Sequence, residues 1–152
     1  TAEAFAGGTG EYTVEFEPHA TALEESGNGY VIASLGVDSG YVPYTCFSAL
    51  SSYIDENPEI IQKFTNAIQK GLDYVASHSS EEIAKVIQTQ FEETDFETLK
   101  TIVERYHSQD TWKTDTRFEK DAFELLQNIL EEAGELSERV DYDTLVTTEF
   151  SK

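Results

Sequence analysis

The sequence predicts an α/β protein whose second part is helix-rich, and three observations carry that expectation. Tyr12, Val14 and Phe16 alternate with Thr13 and Glu15, which is the period of a half-buried strand. Tyr30-Val31-Ile32-Ala33-Ser34-Leu35 is a nearly continuous apolar run, which suits a strand covered on both faces. From about residue 50 onward, apolar positions recur at helical spacing behind recognisable start signals.

In chain order, Gly7-Gly8-Thr9-Gly10 precedes the first strand instead of joining a strand to a helix, and no Lys follows. It therefore reads as a turn and not as a phosphate loop. Pro18 ends the first strand, and His19 to Glu25 reads as a short helix closed by Gly27 and Gly29. Gly36, Asp38, Ser39 and Gly40 form a turn-rich link after the second strand. Residues 42–47 read as a third strand, with Pro43 near its start, where a missing N–H is tolerated.

Asn57 suits an N-cap and Pro58 a first helical position, ahead of Ile61, Phe64, Ile68, Leu72 and Val75 on one face. Three capping boxes are expected: Ser79 with Glu82, Thr94 with Glu97, and Thr116 with Glu119. The first introduces Ile83, Ile87 and Phe91, and the second Leu99, Val103 and Tyr106. The third introduces Ala122, Leu126, Ile129 and Ala133, with Gly134 as the stop. A last short helix is expected over 142–146.

Three short strands cannot make a self-sufficient sheet covered on both faces, and a buried strand such as 30–35 needs neighbours on both edges. The chain is therefore expected to be part of a larger α/β protein. If it is stable alone, self-association or strand exchange would cover its edges. It opens with Thr1 and contains no Met, as expected of a processed or excised piece.

The chain carries 30 acidic and 10 basic side chains, a formal net charge of −20 over 152 residues. This argues against nucleic acid and anionic membrane surfaces as partners, because both demand clustered Lys and Arg. A single cysteine rules out an intramolecular disulfide and a Cys-based zinc site. No stretch approaches 18 consecutive apolar residues, and no basic segment leads into an apolar one as in a signal peptide. Ten acids and no base lie between Thr1 and Gln62, so a pocket built from that stretch alone has no cation of its own.

The string Tyr12-Thr-Val-Glu-Phe-Glu-Pro18 is followed by Leu23-Glu-Glu and then Gly29-Tyr-Val-Ile-Ala-Ser-Leu-Gly36. Val42-Pro-Tyr-Thr45, Tyr53-Ile-Asp-Glu-Asn-Pro58 and Phe64-Thr-Asn-Ala-Ile68 come after it. This ordered series, running from about Phe5 to Phe150, resembles the C-terminal half of solute-binding proteins of ABC importers. The group it most resembles is the binders of thiamine-pyrimidine precursors, alongside the sulfonate, taurine and nitrate binders.

The resemblance implies part of a two-lobed, type II periplasmic-binding-protein-like fold with the ligand held between the lobes. Residues 1–36 would end the second lobe, 37–42 would be the hinge crossing, and 43–152 would be the helical C-terminal part of the first lobe. The implied partners are a small-molecule ligand and the importer's ABC permease. The implied location is extracytoplasmic, either periplasmic or as a cell-surface lipoprotein. Any lipid anchor would lie in the absent N-terminal part, since Cys46 sits mid-chain in an expected strand.

Glu17 is the first ligand-binding candidate. It stands at the C-terminal end of an expected strand, where open α/β sheets place ligands, and the family likeness supports it. His19 lies on the same rim, or is an exposed first-turn residue. Tyr44 and Thr45 follow the crossing; a ring can stack on a planar ligand and a hydroxyl can orient it, or both can be ordinary strand packing. Tyr12 completes the set, although its alternation with Phe16 places it first in the core. Trp112 reads as packing between two helices.

No catalytic group, metal or cofactor is expected. His19, His78 and His107 lack metal spacing, Asp141-Tyr-Asp143 lacks the rest of a calcium loop, and no nucleophile elbow is present. The pairs Glu24-Glu25, Glu81-Glu82, Glu92-Glu93 and Glu131-Glu132 read as dipole and solubility features.

The leading expectation is a non-enzymatic binder that closes on its ligand. A neutral or cationic planar compound, such as an aminopyrimidine thiamine precursor, suits the base-free stretch. A sulfonate, taurine or nitrate binder is the alternative, and so is a relative of thiamine-pyrimidine synthesis enzymes, although Cys46 stands alone where those carry a cysteine-rich motif. An acidic helical interaction module is a third reading.

Overall fold

A computed structural model describes all residues, 1–152. The protein is helical throughout. Its elements are α1 (Ala2–Ala6), α2 (His19–Glu25), α3 (Leu35–Asp38), α4 (Ser51–Glu56), α5 (Pro58–Ser77), α6 (Ser80–Ile87), α7 (Phe96–Ser108), α8 (Lys120–Glu132) and α9 (Tyr142–Leu145), with a 3₁₀ turn over Gln88–Gln90. The chain divides into two compact units, each assembled from two stretches. Residues 1–38 join 77–112 in the first, and 39–76 join 113–152 in the second.

The first unit is built on α6 and α7, whose apolar faces meet. Ile83, Ala84, Leu99, Ile102 and Val103 are buried there. Ser79 starts α6 with the expected capping box: its hydroxyl accepts from the Glu82 N–H, while the Ser79 N–H donates to Glu82 Oε2 at 2.9 Å. α7 is capped one residue later than expected. Asp95, not Thr94, accepts the N–H groups of Glu97 and Thr98, both at 3.1 Å, because a carboxylate one residue further on outcompetes the hydroxyl for the same donors.

α2 packs on α7 and on α1. A Cβ on Gly29 would stand 2.9 Å from the edge of the Phe5 ring, so a larger residue there would displace that ring.

The second unit gathers α4, α5 as far as Ala76, α8 and α9. Phe123, Tyr142 and Phe150 are buried, with Phe123 edge-on to Tyr142 at 5.6 Å and to Phe118 at 6.1 Å. Buried Gln127 exchanges two hydrogen bonds with the Val140 backbone, donating to its carbonyl at 3.1 Å and accepting its N–H at 2.7 Å. Gly134, at φ +75°, stops α8 as expected. Its N–H donates to the Glu131 carbonyl and that of Glu135 donates to Leu130, which satisfies two end-of-helix acceptors.

Pro58 opens α5 as expected, but Asn57 caps it through its backbone carbonyl. The Asn57 side-chain amide donates instead to the Tyr53 carbonyl. Thr116 does not start α8, which begins at Lys120. Its hydroxyl and carbonyl accept from the Lys152 N–H and the Ser151 hydroxyl instead.

The expected sheet does not form. Residues 12–16, 30–34 and 41–50 carry no strand, and Leu35, expected at the end of the second strand, opens α3. A strand exists only by pairing, and no ladder of backbone hydrogen bonds runs along these segments. Their side chains face solvent: Tyr12, expected in the core, is 76 % exposed, and Phe47 is 74 % exposed. The helix-rich half of the expected α/β architecture stands. No helix is long and apolar enough to cross a membrane.

Candidate functional site

The first extended segment runs into a turn at Glu17-Pro18, joined by a cis peptide bond, and α2 begins at His19. The Glu17 carboxylate is folded inward, with its side chain 5 % exposed. Its Oε2 accepts the Thr21 N–H at 3.1 Å, and its Oε1 accepts Arg105 Nη1 at 2.5 Å. Arg105 comes from the last turn of α7, and its Nη1 also reaches the Thr21 hydroxyl at 3.2 Å. Its Nη2 donates to Glu24 Oε2 at the far end of α2, and the other Glu24 oxygen accepts the Val31 N–H at 2.9 Å. One guanidinium thus grips both ends of α2 and, through Glu24, the start of the second extended segment.

Electrostatics favour the charged forms of Glu24 and Arg105. The Val31 N–H and then Arg105 stabilise the Glu24 carboxylate against the cost of burial, so its pKa lies below the ordinary value. Burial opposes charge on Arg105, and its hydrogen bonds and proximity to the two carboxylates outweigh that, so its pKa lies above normal. Tyr106, the next residue, is pushed up by burial first and by the Glu17 charge second. Trp112 packs edge-on to Tyr106 at 5.6 Å and to His107 at 5.2 Å, the packing role expected of it.

The fork adds to one expectation and corrects another. The first stretch has no base of its own, as expected, and takes a cation from Arg105, 88 residues further along the chain than Glu17. Glu24, read as a solvated charge, holds a guanidinium and a backbone N–H. Spacing along the chain cannot reveal either contact. The available signal was ten acids without a base, which calls for a cation from elsewhere.

The other candidates are placed as follows. His19 is exposed at the start of α2, and Tyr12 lies exposed in the segment before it, both in the same unit as Glu17. Tyr44 and Thr45 are exposed in the extended stretch of the second unit. An open depression of about 460 Å³ adjoins Pro18, with residues 89–94 as its remaining wall. Phe91, Glu92 and Glu93 line it, and no base does.

Across the whole first unit, fifteen acids face three bases, a formal charge of −12. Each of the three is engaged by carboxylate: Lys85 by Glu81 at 2.6 Å, Lys100 by Glu104 at 3.8 Å, and Arg105 by its two partners. No group of three or more His, Cys, Asp or Glu side chains is arranged to hold a metal ion.

No family model matches the chain, and no solved structure matches it significantly. Over 151 residues it is 41 % identical to a protein of Bacillus subtilis (strain 168) named "Putative binding protein YtlA". The match covers 99 % of this chain and 45 % of that relative, so the chain spans less than half of the curated relative's length. The similarity is therefore to a portion of a protein named for binding.

Proposed function

We propose that this chain is part of the solute-binding component of an ABC importer, which captures a small molecule in a cleft between two lobes and hands it to a permease outside the cytoplasm. The observation that carries the reading is the 41 % identity, along nearly the whole chain, to a protein named as a binding protein. The strand-like sequence of residues 12–16 and 30–34 adds support, since a chain spanning 45 % of its relative leaves ample sequence to complete an α/β architecture. In this reading the protein performs no chemistry, and residues 37–42 carry the crossing between lobes.

The preferred ligand is a neutral or cationic planar compound, with an aminopyrimidine precursor of thiamine as the specific candidate. Oxyanion recognition calls for Arg, Lys or helix N-termini with free donors. In the first unit every base is already engaged by carboxylate. The depression beside Pro18 offers the Phe91 ring and two carboxylates, which suits an aromatic amine better than nitrate or a sulfonate. Glu17, His19 and Tyr12 in the first unit, and Tyr44 and Thr45 in the second, remain proposed ligand-binding residues, each group taken by itself.

Isothermal titration of the full-length protein with an aminopyrimidine, taurine and nitrate tests both levels of the proposal. Saturable heat with the aminopyrimidine alone is expected. Tight taurine or nitrate binding without aminopyrimidine binding overturns the ligand preference. Turnover of any of them overturns the binding-only role.

A further inference from the structure

Residues 113–118 carry the chain from Trp112, the last residue of the first unit, toward α8 of the second. They form no helix or strand, and none of their backbone groups pairs with another backbone group. Side chains fasten every second carbonyl instead. Gln69 Nε2 donates to the Thr114 carbonyl at 2.9 Å, the Ser151 hydroxyl to that of Thr116 at 3.1 Å, and the Tyr142 hydroxyl to that of Phe118.

The three fastenings are unequal. Thr116 is held twice, since its hydroxyl also accepts the Lys152 N–H at 3.1 Å. Tyr142 is buried and packs edge-on to Phe123, so core packing keeps its hydroxyl at Phe118. The Gln69 amide differs from both, because its Oε1 is buried and meets no donor in the protein. Closing on Thr114 therefore makes one hydrogen bond while it keeps one acceptor dry. A dry acceptor costs about as much as such a bond contributes. When the contact opens, water can reach Oε1, and Nε2 keeps Asp73 Oδ1, 2.8 Å away and one turn further along α5.

We propose that residues 113–118 form a latch with one fixed and one releasable end. Thr116 and Phe118 stay fastened, while Gln69 and Thr114 part and rejoin in the native protein. Release frees residues 113–115 and adds at most ~10 Å of reach where the chain passes between the two units. Neither end involves a residue of the proposed ligand-binding set, so the latch stands or falls separately from the ligand.

Backbone ¹⁵N relaxation of the full-length protein tests this. With an open state populated at roughly 1–10 %, Lys113, Thr114 and Asp115 are expected to show μs–ms dispersion, or order parameters below ~0.6 if the exchange is faster. Arg117 and Phe118 are expected to stay rigid, with order parameters of about 0.85. Gln69→Leu removes both the donor and the dry acceptor, and is expected to abolish the dispersion by leaving Thr114 permanently released. Tyr142→Phe keeps the ring, loses the hydroxyl, and is expected to spread the motion to Arg117 and Phe118.

Uniform rigidity across 113–118 in the unaltered protein overturns the proposal, and so does equal motion at all six residues. Dispersion at Thr114 that persists in Gln69→Leu removes Gln69 as the releasable end. Phe118 remaining rigid in Tyr142→Phe removes that hydroxyl as the fixed end. The unaltered protein decides between a latch and a rigid clasp even where a variant fails to fold.

Discussion

Replacing Arg105 by Met should destabilise the first unit more than any other single surface-reaching substitution in it. The change keeps an unbranched stem of similar length but removes the guanidinium that serves Glu17, Glu24 and the Thr21 hydroxyl. Glu17 would be left 5 % exposed with one remaining donor, the Thr21 N–H. Removing one partner of a buried ion pair costs roughly 3–5 kcal/mol. Solvent reaches Arg105 at 18 % and Glu24 at 29 %, which places the loss at the lower end, ~3 kcal/mol at neutral pH. For a chain of this size that corresponds to a melting midpoint ~6–12 °C lower.

Urea unfolding followed by fluorescence reports on this unit directly, since the only tryptophan, Trp112, packs on Tyr106 beside Arg105. The pH dependence has a definite sign. The Glu24 pKa is lowered in the folded protein from an ordinary value of 4.5. Its ionisation therefore stabilises the fold above that value, and the contribution is lost as pH falls through the lower, folded value. The deficit of Arg105→Met should accordingly be full at pH 7 and smaller at a pH below 4.5, as Glu24 loses its charge. Adding Glu17→Gln to the variant should restore at least ~1 kcal/mol by removing the uncompensated charge. A loss below ~1 kcal/mol at pH 7, or an equal loss at the two pH values, would refute the ionic account of the fork.

Two further outcomes concern packing. Gln127→Leu in α8 leaves the Val140 N–H and carbonyl without their partner and should cost ~2 kcal/mol, with faster amide exchange at Val140 as the local signature. Ile83→Ala, at a site 2 % exposed between α6 and α7, should cost ~3 kcal/mol in chemical denaturation, and Ile83→Val ~1 kcal/mol.

Local signals in the sequence hold where the chain answers them locally. His19 to Glu25, Pro58, the Ser79–Glu82 box and Gly134 all sit where helix-terminus chemistry puts them. The failures share one cause, competition or partners from a distance. Thr94 lost its cap to an adjacent carboxylate, and Thr116 was drawn away by the end of the chain. The alternation at 12–16 and the apolar run at 30–35 are real strand signals, but a strand is a property of a pair. Nothing in a run of residues says which acid, 81 or 88 positions back, a base such as Arg105 will meet. The expected ligand-facing set follows position along expected strands, and within it Glu17 lies in a dense polar network.

That fork also has a history in time. Glu17 and Glu24 leave the ribosome 88 and 81 residues before the arginine that neutralises them. At synthesis rates of 5–20 residues per second, that is an interval of roughly 4–18 s. Because the first unit closes only with residues 77–112, nascent chains stalled anywhere short of Arg105 carry α2 with its two carboxylates unopposed. Residues 1–38 are thus left open to chaperones and proteases until Arg105 has been made.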